Sequence, residues 1–252
     1  RDPEMSRGLG DVYKRQALTL SRMVHFTLFG IPVYIRPSFW VVLAIFGGAL
    51  SISSVEDLIY PALFVIAGFI AILSHEMGHA LVGRRLGGGQ QTIVLELFGG
   101  LTSSHGMQLT RGGRALMILA GPMMTLLLGI ISLWLTWNIV APVMASHNLD
   151  FWDLAISPFT AALISPKLYI LSCLIMIGEW WTLLNLLPIY PLDGGQLIAQ
   201  YIRSPRKVFM TGFITAILIG LLSFQLFHGY FIPIFMALFA YSNYREYKNA
   251  PF

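Results

Sequence analysis

His75-Glu76-Met77-Gly78-His79 sets two imidazoles four residues apart, with a carboxylate between them, inside the apolar run ALFVIAGFIAILSHEMGHALVG. On a helix this spacing puts both rings on one face, where they can share a Zn²⁺ ion at about 2.0–2.1 Å per nitrogen. Glu76 flanks that face and can take a proton from water beside the metal. Burying three ionisable groups in a run that otherwise excludes polarity is costly. That cost argues for a function, against histidines that merely bond to neighbouring helices.

A catalytic zinc usually takes three protein ligands and keeps one position for water, so a third ligand is needed. Cys173 is isolated in an apolar stretch and reads as a small core residue. His25, His105, His147 and His228 fall in loops or turns and read as surface residues, with His105 ending a strand-like run. Glu56, Asp57, Asp150 and Asp153 belong to loops far from the end of the run nearest His75. Asp193, Glu96 and Glu179 are left. Asp193 closes NLLPIYPLD, in which two prolines break a helix, and two glycines follow it and allow a tight backbone. Broken backbone at membrane depth is tolerated where it lines a cavity.

The elements that must position these groups are membrane helices. Hydrophobic residues make up 56% of the 252-residue chain and charged residues 11%, against roughly 25% in ordinary soluble domains. A soluble globule is excluded. Apolar runs at 38–54, 59–83, 115–140, 168–188, 208–227 and 230–244 predict an all-α polytopic protein with six transmembrane helices. Between the second and third, QQTIVLELFGGLTSSHG reads as two β-like runs around Gly99-Gly100, a small membrane-associated hairpin. Residues 1–22 lack periodicity and read as a non-native or disordered extension. Residues 23–246 form a single core, and 247–252 a short tail.

The net charge of +4 reflects topology and does not point to nucleic acid. Arg22, Arg36, Arg84, Arg85, Arg111, Arg114, Arg203, Arg206, Lys207, Arg245 and Lys248 fall on one side of a six-span chain, and Lys167 is the one basic residue opposite. Both termini are therefore expected in the cytoplasm, with Tyr60, Trp134, Trp137, Trp152 and Tyr169 at the outer interface. A prokaryotic cytoplasmic membrane is the expected location.

HEMGHALVGRRLGG and NLLPIYPLDGGQ, in that order, resemble the HExGH and N-x-x-P-x-x-x-L-D-G motifs of the site-2 protease family of intramembrane zinc metalloproteases. FGIPVYIRPSF, the ELFGG hairpin and Ala120-Gly121-Pro122 extend the likeness over nearly all of 23–244. The resemblance implies that His75, His79 and Asp193 bind zinc, that Glu76 is general base and then acid, and that Asn185 positions the substrate or supports the reacting carbonyl. It departs at Thr125, where asparagine is frequent, and at Glu179, an acid in the fourth span. No stretch suits an inserted PDZ or a nucleotide-binding tail domain, so a minimal catalytic core is expected.

The hairpin at 93–101 could accept an extended substrate by strand addition, with Ile93, Leu95, Phe98, Gly99 and Gly100 in contact, or act only as a plug over the site. The expected activity is proteolysis within or near the span of a single-span membrane protein, such as an anti-sigma factor or membrane-tethered regulator. A metal carrier and a catalytically inactive membrane scaffold are the alternatives.

Overall fold

The computed structural model describes residues 24–97, 99–147, 152, 155 and 157–251. The 1–22 extension, Phe98, Asp150 and Asp153 lie outside the described residues. Helices dominate: α1 (Pro37–Phe46), α2 (Ile59–Gly87), α3 (Arg111–His147), α4 (Pro158–Ala162), α5 (Pro166–Asn185), α6 (Asp193–Ala199), α7 (Pro205–Phe227) and α8 (Phe231–Asn249). Proline sets several starts. Pro37, Pro166 and Pro205 sit in the first turns of α1, α5 and α7, where a missing N–H costs nothing. At α5 the Ser165 side chain also accepts from the Leu168 N–H at 3.3 Å.

Among the described residues, four helices are long and apolar enough to cross a membrane: Glu56–Gly87, Arg111–Val140, Pro166–Asn185 and Pro205–Leu226. The six expected spans therefore resolve into these four and two lesser helices. α1 has ten residues, about 15 Å against a hydrocarbon core of about 30 Å, because Gly47 and Gly48 end it and Gly48 adopts φ 87. α8 has 19 residues, but Arg245, Glu246 and Lys248 occupy its last turns.

The all-α expectation needs a larger amendment. β1 (Val24–Leu28), β2 (Ile31–Ile35), β3 (Gln90–Glu96) and β4 (Gly99–His105) form one sheet in the order β1-β2-β3-β4. Phe29 and Gly30 both take positive φ in the two-residue turn between β1 and β2, which suits the twist of an antiparallel hairpin. β2 then pairs parallel with β3, the chain crossing over through α1 and α2. β3 and β4 pair antiparallel, with Leu95 opposite Gly100 and Glu96 opposite Gly99, so the two glycines begin β4 and do not form the turn.

One face of the sheet is buried on the helices. Ile31, Val33, Ile35, Ile93 and Leu95 pack with Phe39 and Leu43 of α1 and Ile72, Leu73 and Met77 of α2, all under a tenth exposed. α2, α3 and α5 pack mutually, and small residues bring them close. A Cβ on Gly78 would lie 2.4 Å from the Ala120 oxygen, and one on Gly178 would lie 3.0 Å from the Thr125 oxygen. α7 and α8 pack as a pair, with Ile189 of the preceding loop buried between them and the rest.

Candidate metal centre

α2 carries His75, Glu76 and His79 at the point where α3, β4 and the start of α6 converge, and all three are under a tenth exposed. The helical spacing turns both imidazoles the same way, leaving their Nε2 atoms 3.0 Å apart. Asp193, the first residue of α6, reaches them from the opposite side. Its Oδ2 is 3.0 Å from His75 Nε2 and its Oδ1 3.4 Å from His79 Nε2.

These distances fit a tetrahedral ion, since ligands about 2.0–2.1 Å from zinc stand about 3.3 Å from one another. Ligand atoms of the three residues all lie within 4.8 Å, the one such group of His, Cys, Asp or Glu among the described residues. Asp193 Oδ2 is buried with no aligned hydrogen-bond donor among those residues, which is costly unless a cation takes it up. Burial would raise the Asp193 carboxyl, but the two facing imidazoles outweigh it and hold the group below the ordinary carboxylate range. The donor set therefore suits Zn²⁺.

Supporting contacts orient the ligands. His79 Nδ1 lies 2.8 Å from the Met117 carbonyl on α3, which places the N–H there and frees Nε2 to face Asp193. Gly121, inside α3, supplies clearance: a Cβ on it would lie 2.3 Å from His79 Nε2 and 2.8 Å from His75 Nε2. Pro122 lies within the same helix, and its carbonyl accepts from Thr125 Oγ1 at 3.0 Å, with Thr182 Oγ1 3.3 Å away. Thr125 and Thr182 Oγ1 are themselves 2.8 Å apart; with Thr125 donating to Pro122, the Thr182 hydroxyl donates to Thr125 and joins α5 to α3.

A cavity of about 570 Å³ opens on the centre, lined by Glu76, Gly99, Gly100, Asn185, Tyr190 and Phe239 among others. Asn185, at the end of α5, is buried and donates from Nδ2 to the Trp181 carbonyl at 2.9 Å. The loop that carries Asp193 is pinned by Asn243 of α8, whose Nδ2 donates to the Tyr190 carbonyl at 2.6 Å. Gly194 and Gly195 allow that loop to press on the end of α5, where a Cβ on Gly194 would lie 2.1 Å from the Leu186 oxygen.

Other sequence candidates fall elsewhere. Glu96 forms an ion pair with Arg36 at 3.0 Å on the cavity's margin. Glu179 is exposed on α5, Cys173 is buried against Tyr169 and Leu174, and His105 is exposed at the end of β4. Of the expected substrate contacts, Gly99 and Gly100 line the cavity. Ile93 and Leu95 do not reach it. β3 is paired on both sides at those residues, and their side chains are fully buried in the core beneath the sheet. Among the described residues the edge strands are β1 and β4, and β4 is the one that lines the cavity. Thr102, Gly121 and Thr182 were not legible as site residues, because their roles depend on how closely separate elements approach.

Residues 63–227 match the model of Peptidase family M50. The zinc metalloprotease MJ0392 of Methanocaldococcus jannaschii is 27% identical over 227 residues, a match covering 86% of this chain and 57% of that protein. The chain spans about half or less of the length of the curated relatives it matches. Among solved structures, the site-2 protease from Methanocaldococcus jannaschii superposes with a TM-score of 0.57 at 23% identity, covering 89% of this chain and 95% of that one, which establishes a shared fold.

Proposed function

The chain belongs to peptidase family M50, and from that premise we propose that it is an intramembrane zinc metalloprotease that cuts a single-span membrane protein in or near its transmembrane segment. One observation carries the reading. His75, His79 and Asp193 converge beside Glu76 at a cavity among helices long and apolar enough to cross a membrane. Zinc, when bound by those three side chains, supplies Lewis acidity that polarises a carbonyl and lowers the pKa of water.

The chain's own residues do the rest. Glu76 takes one proton from the attacking water and returns it to the departing amide nitrogen as the C–N bond breaks; the second water proton, left on the new carboxyl, then passes to the amine, so the products are a carboxylate and an ammonium. Asn185, at the cavity wall, supports the reacting carbonyl or orients the substrate. Gly99 and Gly100 offer main chain at the β4 edge to an extended substrate segment. A substrate of this kind is a membrane-tethered regulator such as an anti-sigma factor, released when its span is cut. The asymmetry of basic residues supports a cytoplasmic position for both termini.

Purified protein supplied with zinc and a panel of single-span membrane proteins provides the test, with Glu76→Gln as control. Cleavage by the wild-type chain alone supports the reading. So does loss of metal, from about one ion per chain to under about a tenth, in the His79→Ala, Asp193→Ala double variant. Equal cleavage by Glu76→Gln, or undiminished metal in the double variant, would overturn it.

A further inference from the structure

Glu76 is buried, yet among the described residues one side chain alone holds its carboxylate. Thr102 Oγ1 lies 2.7 Å from Glu76 Oε2 and 3.1 Å from the main-chain oxygen of the same residue. A hydroxyl has one proton to give, and the shorter contact to a charged oxygen is the stronger of the two. Among the described residues no donor reaches Oε1. Two residues earlier on the same face of β4, Gly100 presses bare backbone against the other side of Glu76: a Cβ there would lie 2.2 Å from Cγ and 2.6 Å from Oε1. The glutamate is thus confined by two residues of a single strand.

That strand is an edge strand of the sheet, and Gly99, Gly100, Leu101 and Thr102 all line the cavity. On the reading of Glu76 as general base, we propose that Thr102 is a positioning residue for it. The hydroxyl donates to Oε2 and fixes the plane of the carboxylate, leaving Oε1 as the oxygen that accepts the proton from water. Because Thr102 lies on the strand edge that the cavity exposes, a chain seated on β4 rests on the same strand that sets the base. Glu76 and the substrate are then held in register by one element.

Thr102→Val keeps the shape of the side chain and removes the donor; Thr102→Ser keeps the donor. The infrared carboxylate band of Glu76, isolated as the difference between each protein and its Glu76→Gln counterpart, reads the contact without requiring turnover. It should shift in Thr102→Val and stay in place in Thr102→Ser. On a cleaved single-span substrate, kcat should fall on the order of 10–100-fold in Thr102→Val with KM and metal content unchanged, and Thr102→Ser should recover most of it. An unshifted band in Thr102→Val, or a Thr102→Ser variant altered as much as Thr102→Val, would overturn the proposal. A wild-type chain that cleaves no substrate but shows the band shift would overturn the protease reading and support the contact.

Discussion

Gly121 of α3 stands where any side chain would collide with His79 of α2, since a Cβ on it would lie 2.3 Å from the imidazole Nε2. Gly100 of β4 stands in the same relation to Glu76, at 2.2 Å from Cγ. The two glycines divide the centre into its metal-holding and proton-handling halves, and substituting each should separate them. Gly121→Ala should lose metal and activity together and destabilise the fold by about 1–3 kcal/mol from overpacking. Gly100→Ala should keep its metal while turnover falls on the order of 100-fold, because it displaces the base. Metal content and cleavage rate measured on both variants check this. A Gly100→Ala protein that loses metal as fully as Gly121→Ala would contradict it.

Asn243 couples α8 to the centre through the Tyr190 carbonyl, three residues before Asp193. Asn243→Ala removes the donor from that part-buried carbonyl and should cost about 0.5–1.5 kcal/mol. Thermal unfolding in detergent should show a lowered midpoint, with weaker metal retention than wild type. An unchanged midpoint and unchanged metal affinity would mean that the loop is held by other contacts.

The motif on α2 was legible because its spacing is local: two histidines at i and i+4 share a face in any helix. Asp193 could be narrowed from sequence to one of three carboxylates, and only tertiary approach separates it from Glu96, spoken for by Arg36, and from Glu179, exposed on α5. The sheet was half legible. β3 and β4 are adjacent in sequence and bounded by turn residues, whereas the pairing of β2 with β3 is parallel and joins residues some sixty positions apart, which no local pattern announces. Without that pair Ile93 and Leu95 read as part of an open hairpin; paired on both sides, they lie in the core. Thr102 and Gly121 act through another element's side chain, so neither has a signature of its own.

The basic-residue asymmetry predicts that Arg84, Arg111 and Lys207 face the cytoplasm and that Asp57 faces outward. Single cysteines at these positions, in a Cys173→Ala background, should label from opposite sides of sealed vesicles. Labelling of positions 57 and 207 from the same side would show that the chain crosses the membrane an even number of times between them, against the three crossings expected.

A transmembrane helix hides its peptide bonds in i→i−4 hydrogen bonds, so a substrate must unwind before Glu76 and the metal centre can reach one. Each glycine placed near the cut costs the helix about 1 kcal/mol relative to alanine and should speed cleavage about five-fold. A span of continuous leucine should resist. Rates for a substrate series that differs only at those positions give the comparison, and equal rates would remove unwinding as the controlling step.

The central claim is that this centre hydrolyses a peptide bond at membrane depth with Glu76 as the base. Cleavage of a reconstituted single-span substrate in H₂¹⁸O, with both products read by mass spectrometry, tests it most directly. Expected are one ¹⁸O atom in the new C-terminal carboxylate, a cut within or at the edge of the substrate's span, and no product from Glu76→Gln at equal metal content. A cut in a soluble loop, or a labelled product from Glu76→Gln at the wild-type rate, would contradict it.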